Sequence, residues 1–577
     1  MKQISSIDRD IEDVPSFAAR YEFFVKRLRN NAKSAITKNN IMTVNSEKNL
    51  TFVSSAKRTR KMLYPIGIQD FENIRRDGFV YVDKTELVYK LSHGSGKYFF
   101  LSRPRRFGKS LLVSTMETYF SGRRELFDGL AMAELEEEWN QYPVLRLDFS
   151  GANYNSEQVL ESKLNSFLKF YEEIYSSVSS EPVASVRFDA LIQAAYSKTG
   201  KPVVILIDEY DKPIVDNLGD DALADTFCKQ LQGFFSVMKA KDGYIKFGFL
   251  TGVTKIGKLS IFSGLNNLKD ISMDARYTDI CGISGKDLKK YFDESVKELA
   301  KANEVSVEKC YEQLARMYDG YHFCEDSVGV YNPFSLLNTF DSLKFKEYWF
   351  ETGTPSFLVE VMKRTDYDVA GLSSEEADST LLTNIDTVFY NPVPLLYQSG
   401  YLTIKDYDKM TSIYTLGFPN VEVKHGFLSF LLDAYTTARG SGNLLIRKMN
   451  NDLLTGKPDD FMKRMEAFFA RQNYQIQGNA EKDFQYAMSI ILQLLGEDLV
   501  VHTEDATSEG RIDVLMVAPN FIYIVEIKIN DTAEAALQQI EEKGYARKFA
   551  DDKRKLFKIG VRFSTENRCI DSWKIAE

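Results

Sequence analysis

At 577 residues the chain is longer than one hydrophobic core can serve, so about three or four domains are expected. Hydrophobic residues make up 44% and aromatics 13%, which excludes a disordered chain. A formal net charge of −9 excludes a surface that is basic all over, while leaving room for a local basic groove.

There is no apolar run long enough to span a bilayer and no apolar segment at the start, so no membrane partner is expected. The cysteines (Cys228, Cys281, Cys310, Cys324 and Cys569) are far apart and form no CxxC, which argues against a disulfide framework or a zinc ribbon. The histidines (His93, His322, His425 and His502) are scattered and read as structural. A cytoplasmic protein fits best.

Residues 1–61 are polar, lack sustained periodicity and end in the basic run Lys57-Arg58-Thr59-Arg60-Lys61. They read as a disordered polar extension, or the chain naturally starts at Met62. Further on, Asp83 with Glu86 three residues later predicts a capping box for a helix running to Leu91.

Tyr98-Phe99-Phe100-Leu101 reads as a short buried strand. A loop ending Phe107-Gly108-Lys109-Ser110 follows, and then Leu111, Leu112, Thr115, Met116, Tyr119 and Phe120 recur at helical spacing. Strand, Gly-Lys-Ser loop and helix are what a phosphate-binding loop needs. Backbone N–H groups face the phosphates, Lys109 reaches the β and γ oxygens, and Ser110 holds Mg²⁺. Arg103 stands where the pattern GxxxxGK[ST] has its first glycine, and a plain basic strand-to-helix turn is the rival reading. In an empty loop Lys109 is expected to be exposed.

Tyr142 to Asp148 predicts the next strand. Val203 to Ile207 is a continuous apolar run, as in a strand buried on both faces, and ends in Asp208-Glu209. Asp208 is placed to serve the Mg²⁺ shell and Glu209 to polarise the attacking water. Ile245 to Leu250 is a further strand, with Thr251, Thr254 and Lys255 as candidates near the γ-phosphate or as plain strand-end caps. The intervening segments predict a parallel sheet in which the Tyr98 and Val203 strands are not consecutive.

From about 285 the pattern is helical and aromatic and reads as a lid. Pro392 to Asp406 and Ser412 to Val423 read as a helix followed by a hairpin, a winged-helix-like unit that suggests DNA but in large ATPases is at least as often a packing module. Asn479 to Gly496 predicts an amphipathic helix with Glu481 near its start. Two apolar strands then carry Asp513 and Glu526-Ile527-Lys528. Glu526 and Lys528 share a strand face, where buried charge is costly without a partner. A divalent ion is the natural partner for Asp513 and Glu526, with Lys528 stabilising the attacked phosphate. A helix carrying Gln539 follows, then Lys543, Tyr545, Arg547 and Lys548. An edge strand with a solvated Glu-Lys pair is the rival here.

Taken together, Pro65–Arg75, Tyr81–Thr85, Ser102–Leu112, Val203–Asp211, Phe249–Val253, Ser260–Leu268, Met317–Phe323, Val330–Asn338, Tyr348–Leu358, Gly510–Asp513, Tyr523–Lys528 and Ala536–Ala546 resemble a bacterial family. Its members are predicted AAA-type ATPases fused to a carboxy-terminal PD-(D/E)XK nuclease-superfamily domain. The likeness runs from Met62 to Glu577. It implies an α/β fold: a P-loop NTPase parallel sheet of the additional-strand type (62–284), a helical and winged-helix middle (285–442) and a restriction-endonuclease-like α/β domain (443–577).

The resemblance implies ATP and Mg²⁺ at Gly108, Lys109, Ser110, Asp208 and Glu209, with Thr251 or Thr254 as a sensor. It implies a nuclease centre with Mg²⁺ or Mn²⁺ at Glu481, Asp513 and Glu526, with Lys528 catalytic and Gln539 and Tyr545 behind. The expected activity is an ATP-gated nuclease acting on nucleic acid, with homo-oligomers left open. The rival is a slow ATP-dependent signalling switch whose last domain binds nucleic acid or protein without cutting.

Overall fold

The computed structural model describes residues 62–577 apart from 178–180, 256–260, 263–264, 266, 351–355, 366, 368, 384–390, 436–441, 471–479, 496–498, 508–509, 565 and 567–568. The expectation for residues 1–61 therefore falls outside the described residues. Met62–Glu577 forms one compact unit.

The first sheet contains β1 (Tyr98–Ser102), β2 (Val144–Asp148), β3 (Val203–Asp208), β4 (Ile245–Gly252) and β5 (Leu268–Asp270). Their order is β2-β3-β4-β1-β5, and every pairing is parallel. β4 lies between β1 and β3, so the phosphate-loop strand and the acidic strand are not adjacent. β1 and β3 are buried along their whole length, which is why they read as unbroken apolar runs. Helix α1 (Lys109–Phe120) leaves β1 through the Gly-Lys-Ser loop. Asp148 pairs with Asp208 across β2 and β3, and Leu101 pairs with Thr251 across β1 and β4. These positions share the carboxyl edge of the sheet, where open α/β sheets bind ligands.

The helix before β1 spans Thr85–Ser92 and does not have the expected capping box. Glu86 pairs with Lys90 on the helix surface, while Asp83 accepts from the Thr85 N–H at 2.9 Å and from the Ala131 N–H at 2.8 Å. Asp83 is drawn away because it satisfies two segments at once.

The middle region opens with the small pair β6 (Ile283–Ser284) and β7 (Val330–Tyr331) and the helices between and after them. Next come α2 (Ser356–Arg364), β8 (Glu375–Ala377), α3 (Ser379–Thr383), α4 (Val393–Ser399), β9 (Thr403–Asp408) and β10 (Ile413–Gly417). The three strands form an antiparallel sheet in the order β8-β10-β9. This is the winged-helix arrangement. The second strand stops earlier than its apolar residues suggest. Pro419 breaks it, Asn420 accepts from the Val423 N–H at 3.1 Å, and helix α5 (Val421–Tyr435) begins. All seven residues of α4 are buried. A helix that must enter a DNA groove has to be exposed. This one instead backs the phosphate loop: Gly400 lies so close to it that a Cβ there would meet the Pro104 ring at 2.6 Å.

The carboxy-terminal part contains α6 (Pro458–Ala470) and α7 (Ala480–Leu494), then strands β11 (Val500–Thr507), β12 (Gly510–Val517) and β13 (Phe521–Ile529). Helix α8 (Ala533–Glu542) crosses to β14 (Lys555–Ser564), and β15 (Cys569–Ala576) closes the sheet. The strands are ordered as numbered, with β13 and β14 parallel and the other pairs antiparallel. α7 packs against α5, and α6 against β15. One buried apolar cluster runs from Phe71 through α5 to Ile570, so sheet, lid and second sheet share a core.

Candidate functional sites at the two sheets

The phosphate loop is fixed from outside. Arg103 is buried, and its guanidinium donates to the carbonyls of Ser102 at 2.9 Å, Ser272 at 2.8 Å and Tyr277 at 3.2 Å. It also lies 3.9 Å from the centre of the Phe323 ring. A buried guanidinium needs such partners. Arg103 therefore roots the loop in the core and does not line the cavity above it. The Trp349 indole donates to the Arg105 carbonyl at 3.2 Å.

The cavity measures about 260 Å³ and is lined by Gly108, Lys109, Ser110 and Glu209, together with Arg105 and Arg106. Gly108 takes a left-handed φ of 92° at the helix start. Lys109 is not exposed, contrary to expectation. It is 6% exposed, and its ammonium donates to the carbonyls of Arg103 at 2.9 Å and Pro104 at 3.0 Å. The curled loop offers those oxygens as stand-ins for phosphate. Burial lowers the Lys109 pKa, against the opposing pull of Glu209, Asp208 and Asp211.

Asp208 is 1% exposed, and among the described residues neither carboxylate oxygen has a hydrogen-bond partner. Burial raises its pKa, although the Ser110 hydroxyl beside it and Lys109 work the other way. An acid left like this is costly unless a cation completes it. A hydroxyl and a carboxylate are oxygen donors that suit Mg²⁺. Glu209 is half-buried at a φ of 53°, in the left-handed region that strains a non-glycine residue, and burial raises its pKa.

Of the residues after β4, Thr254 is taken up by Asp211, whose carboxylate accepts from the Thr254 N–H at 2.6 Å and hydroxyl at 2.7 Å. Lys255 pairs with Asp270 at 3.0 Å. The Thr251 hydroxyl is buried without a hydrogen-bond partner among the described residues, and it faces Asp208 one step beyond the Ile207–Leu250 pair. Sequence reasoning passed over Asp211. Its signal is Gly252, where a Cβ would meet the Asp211 carboxylate at 2.5 Å.

At the second sheet, β12 and β13 pair Val514 with Val525, so Asp513 and Glu526 stand opposite each other at the next step. Asp513 accepts from the Ile527 N–H at 2.8 Å. Glu526 is 2% exposed. One of its oxygens accepts from the Gln539 amide, and the other has no hydrogen-bond partner among the described residues. Lys528 lies 3.7 Å from Glu526 and donates to the Gln539 side-chain oxygen at 2.5 Å. The Glu526 carboxyl is pushed up to about 7, first by burial and then by Asp513. Two facing carboxylates with an open oxygen fit a hard divalent ion. Among the described residues no group of three or more metal-binding side chains occurs. Glu481 belongs to the first turn of α7, but its side chain lies outside the described residues. Tyr545 is buried in an apolar cluster with Leu515, Ile522 and Ile540, which gives it a packing role.

Sheet, loop and paired acids define the class: a P-loop ATPase-like domain followed by a nuclease-like one. A family model described as "Predicted AAA-ATPase" matches residues 65–262, and one described as "PD-(D/E)XK nuclease superfamily" matches residues 479–573. The chain belongs to the family that joins these two domains. It is similar to an "Uncharacterized protein in vnfD 5'region" of Azotobacter chroococcum mcd 1, with 35% identity over 520 residues, covering 89% of this chain and 98% of the relative.

Proposed function

We propose that the chain is a cytoplasmic ATPase that gates a metal-dependent phosphodiesterase domain acting on nucleic acid. One observation carries the reading. Each sheet holds a buried carboxylate with an oxygen that has no hydrogen-bond partner among the described residues, Asp208 in one and Glu526 in the other, beside a lysine. Ser110 and Asp208 would hold Mg²⁺, and Asp513 and Glu526 a Mg²⁺ or Mn²⁺, each ion neutralising phosphate charge when bound. Lys109 then leaves its carbonyls for the β and γ oxygens, and Glu209 takes the proton of the attacking water. In the second site Lys528 faces the charge that builds on the scissile phosphate.

Gating has a physical route. The Trp349 backbone N–H donates to Glu422 at 2.8 Å while its indole holds Arg105. Glu422 lies in α5, and α5 packs against α7, which starts beside Glu481. These contacts support a route by which a shift of the phosphate loop on ATP binding would be passed on through packed elements.

The test is to incubate purified protein with plasmid, single-stranded DNA and RNA, with Mg²⁺ or Mn²⁺, with and without ATP. Metal-dependent cleavage stimulated by ATP is expected. Tight ATP binding with very slow turnover and no cleavage of any substrate would make the chain a switch instead.

A further inference from the structure

We propose that Arg105 is a phosphate-contacting catalytic cation supplied by the same chain, so that ATP hydrolysis needs no arginine from a second copy. The inference rests on the ATPase reading above. It starts from the supply of positive charge around the cavity. Lys109 is engaged by two carbonyls and, on leaving them, is taken up by the β and γ oxygens. Lys212 is paired with Asp216 at 2.8 Å. Glu209, Asp211 and Asp216 add negative charge to the lining. A triphosphate entering this space brings more, and the transition state concentrates it on the γ-phosphoryl oxygens.

Arg105 and Arg106 answer that need differently. Neighbouring residues on an extended chain point to opposite sides, yet these two line one cavity. The reason is Arg106, whose left-handed φ of 68° turns the chain between them. Such a conformation at a bulky residue persists only where the surroundings enforce it. The Arg106 guanidinium lies 5.3 Å from the centre of the Phe334 ring and is held there. Arg105 is exposed, and among the described residues its guanidinium forms no hydrogen bond or ion pair. Its backbone, by contrast, is pinned by Trp349, and Pro104 before it is pressed against Gly400. A fixed root with an uncommitted head loses little freedom on meeting phosphate. A guanidinium also matches two phosphate oxygens at once.

The step is plain hydrolysis. The water oxygen bonds to the γ-phosphorus as the bond from that phosphorus to the bridging oxygen breaks. The electron pair leaves on the β-phosphate of ADP, and a water proton goes to Glu209. Arg105 neutralises charge on the γ-phosphoryl oxygens, and no further reactant is needed.

The test uses the full chain as wild type, Arg105→Ala and Arg105→Lys, measuring ATP affinity, KM and kcat over a hundredfold dilution of protein. Expected are a wild-type specific activity that does not change on dilution and a kcat for Arg105→Ala lower by about three orders of magnitude. ATP affinity should stay within about threefold, which also shows that the variant is folded. Arg105→Lys should recover only part of the rate, because an ammonium lacks the fork. Should Arg105→Ala fail to bind ATP, the low kcat of a nucleotide-binding Arg105→Lys decides. Mixing Arg105→Ala with Lys109→Ala should restore nothing. Restored activity in that mixture, or a kcat for Arg105→Ala within a few-fold of wild type, would overturn the proposal while leaving the ATPase standing. A wild-type chain that binds no nucleotide would overturn both.

Discussion

Lys109 and Glu209 line one cavity, but losing them has different consequences. Lys109→Ala removes the buried cation, so nucleotide binding should be lost. It also removes two hydrogen bonds inside the loop, at a cost of about 1–2 kcal/mol, so the melting point should fall slightly. Glu209→Gln keeps Asp208 and Lys109, so ATP should bind normally while hydrolysis falls by about two orders of magnitude or more. Equilibrium binding and steady-state turnover separate the two, and unchanged turnover in Glu209→Gln would remove it as the base. At the second sheet, Asp513→Asn should lose both divalent-ion binding and cleavage, whereas Lys528→Ala should keep the ion and lose cleavage. Because the Glu526 carboxyl titrates at about 7, above the ordinary carboxylate range, its proton competes with the ion. Stabilisation by Mn²⁺ should therefore be larger at pH 8 than at pH 6, and equal shifts at both would contradict a site built on Glu526. The sequence made most of these residues legible, because Gly-Lys-Ser, Asp-Glu and Glu-x-Lys are local patterns. Arg103 was not legible as a root, since its partners Ser272 and Tyr277 lie far along the chain. Nor did any local pattern reveal that the loop curls onto its own lysine.

Elements follow their sequence where one periodicity rules and depart from it where distant groups compete. The buried strands β1 and β3 were plain from their apolar runs. The missing capping box at Asp83 and the early end of β10 were not, because Ala131 and the Pro419-Asn420 turn decide them. The winged-helix arrangement was partly visible. Its burial was not, because α4 carries Gln398 and Ser399, which satisfy their polar groups inside the fold. Glu422, at the start of α5, gives this layer a measurable signature. It is fully buried, accepts from Ser335 and Trp349, has Glu347 nearby, and its carboxyl is pushed up to about 8 by burial. A carboxyl whose folded pKa is raised contributes fully below its unfolded value of about 4.5 and loses that contribution as pH rises towards 8. The loss is about 1.4 kcal/mol per pH unit across that window. Wild type should thus become less stable relative to Glu422→Gln from pH 6 to pH 8.5, read as diverging denaturation midpoints. Parallel midpoints would show that Glu422 is not protonated in the fold.

On the scale of the molecule, the shared core from Phe71 to Ile570 joins the two sites. α5 lies between them, bonded through Glu422 to Trp349 on one side and packed against α7 on the other. No helix among the described residues is long and apolar enough to cross a membrane. The proposed coupling of an ATP site to a nuclease site is the central claim. It is tested most directly by the rate at which wild type and Lys109→Ala cleave a labelled nucleic acid with Mg²⁺ or Mn²⁺ and ATP present. The account predicts cleavage by wild type that depends on ATP, and none by Lys109→Ala although its carboxy-terminal site is intact. Equal cleavage by the two proteins, with or without ATP, would contradict it.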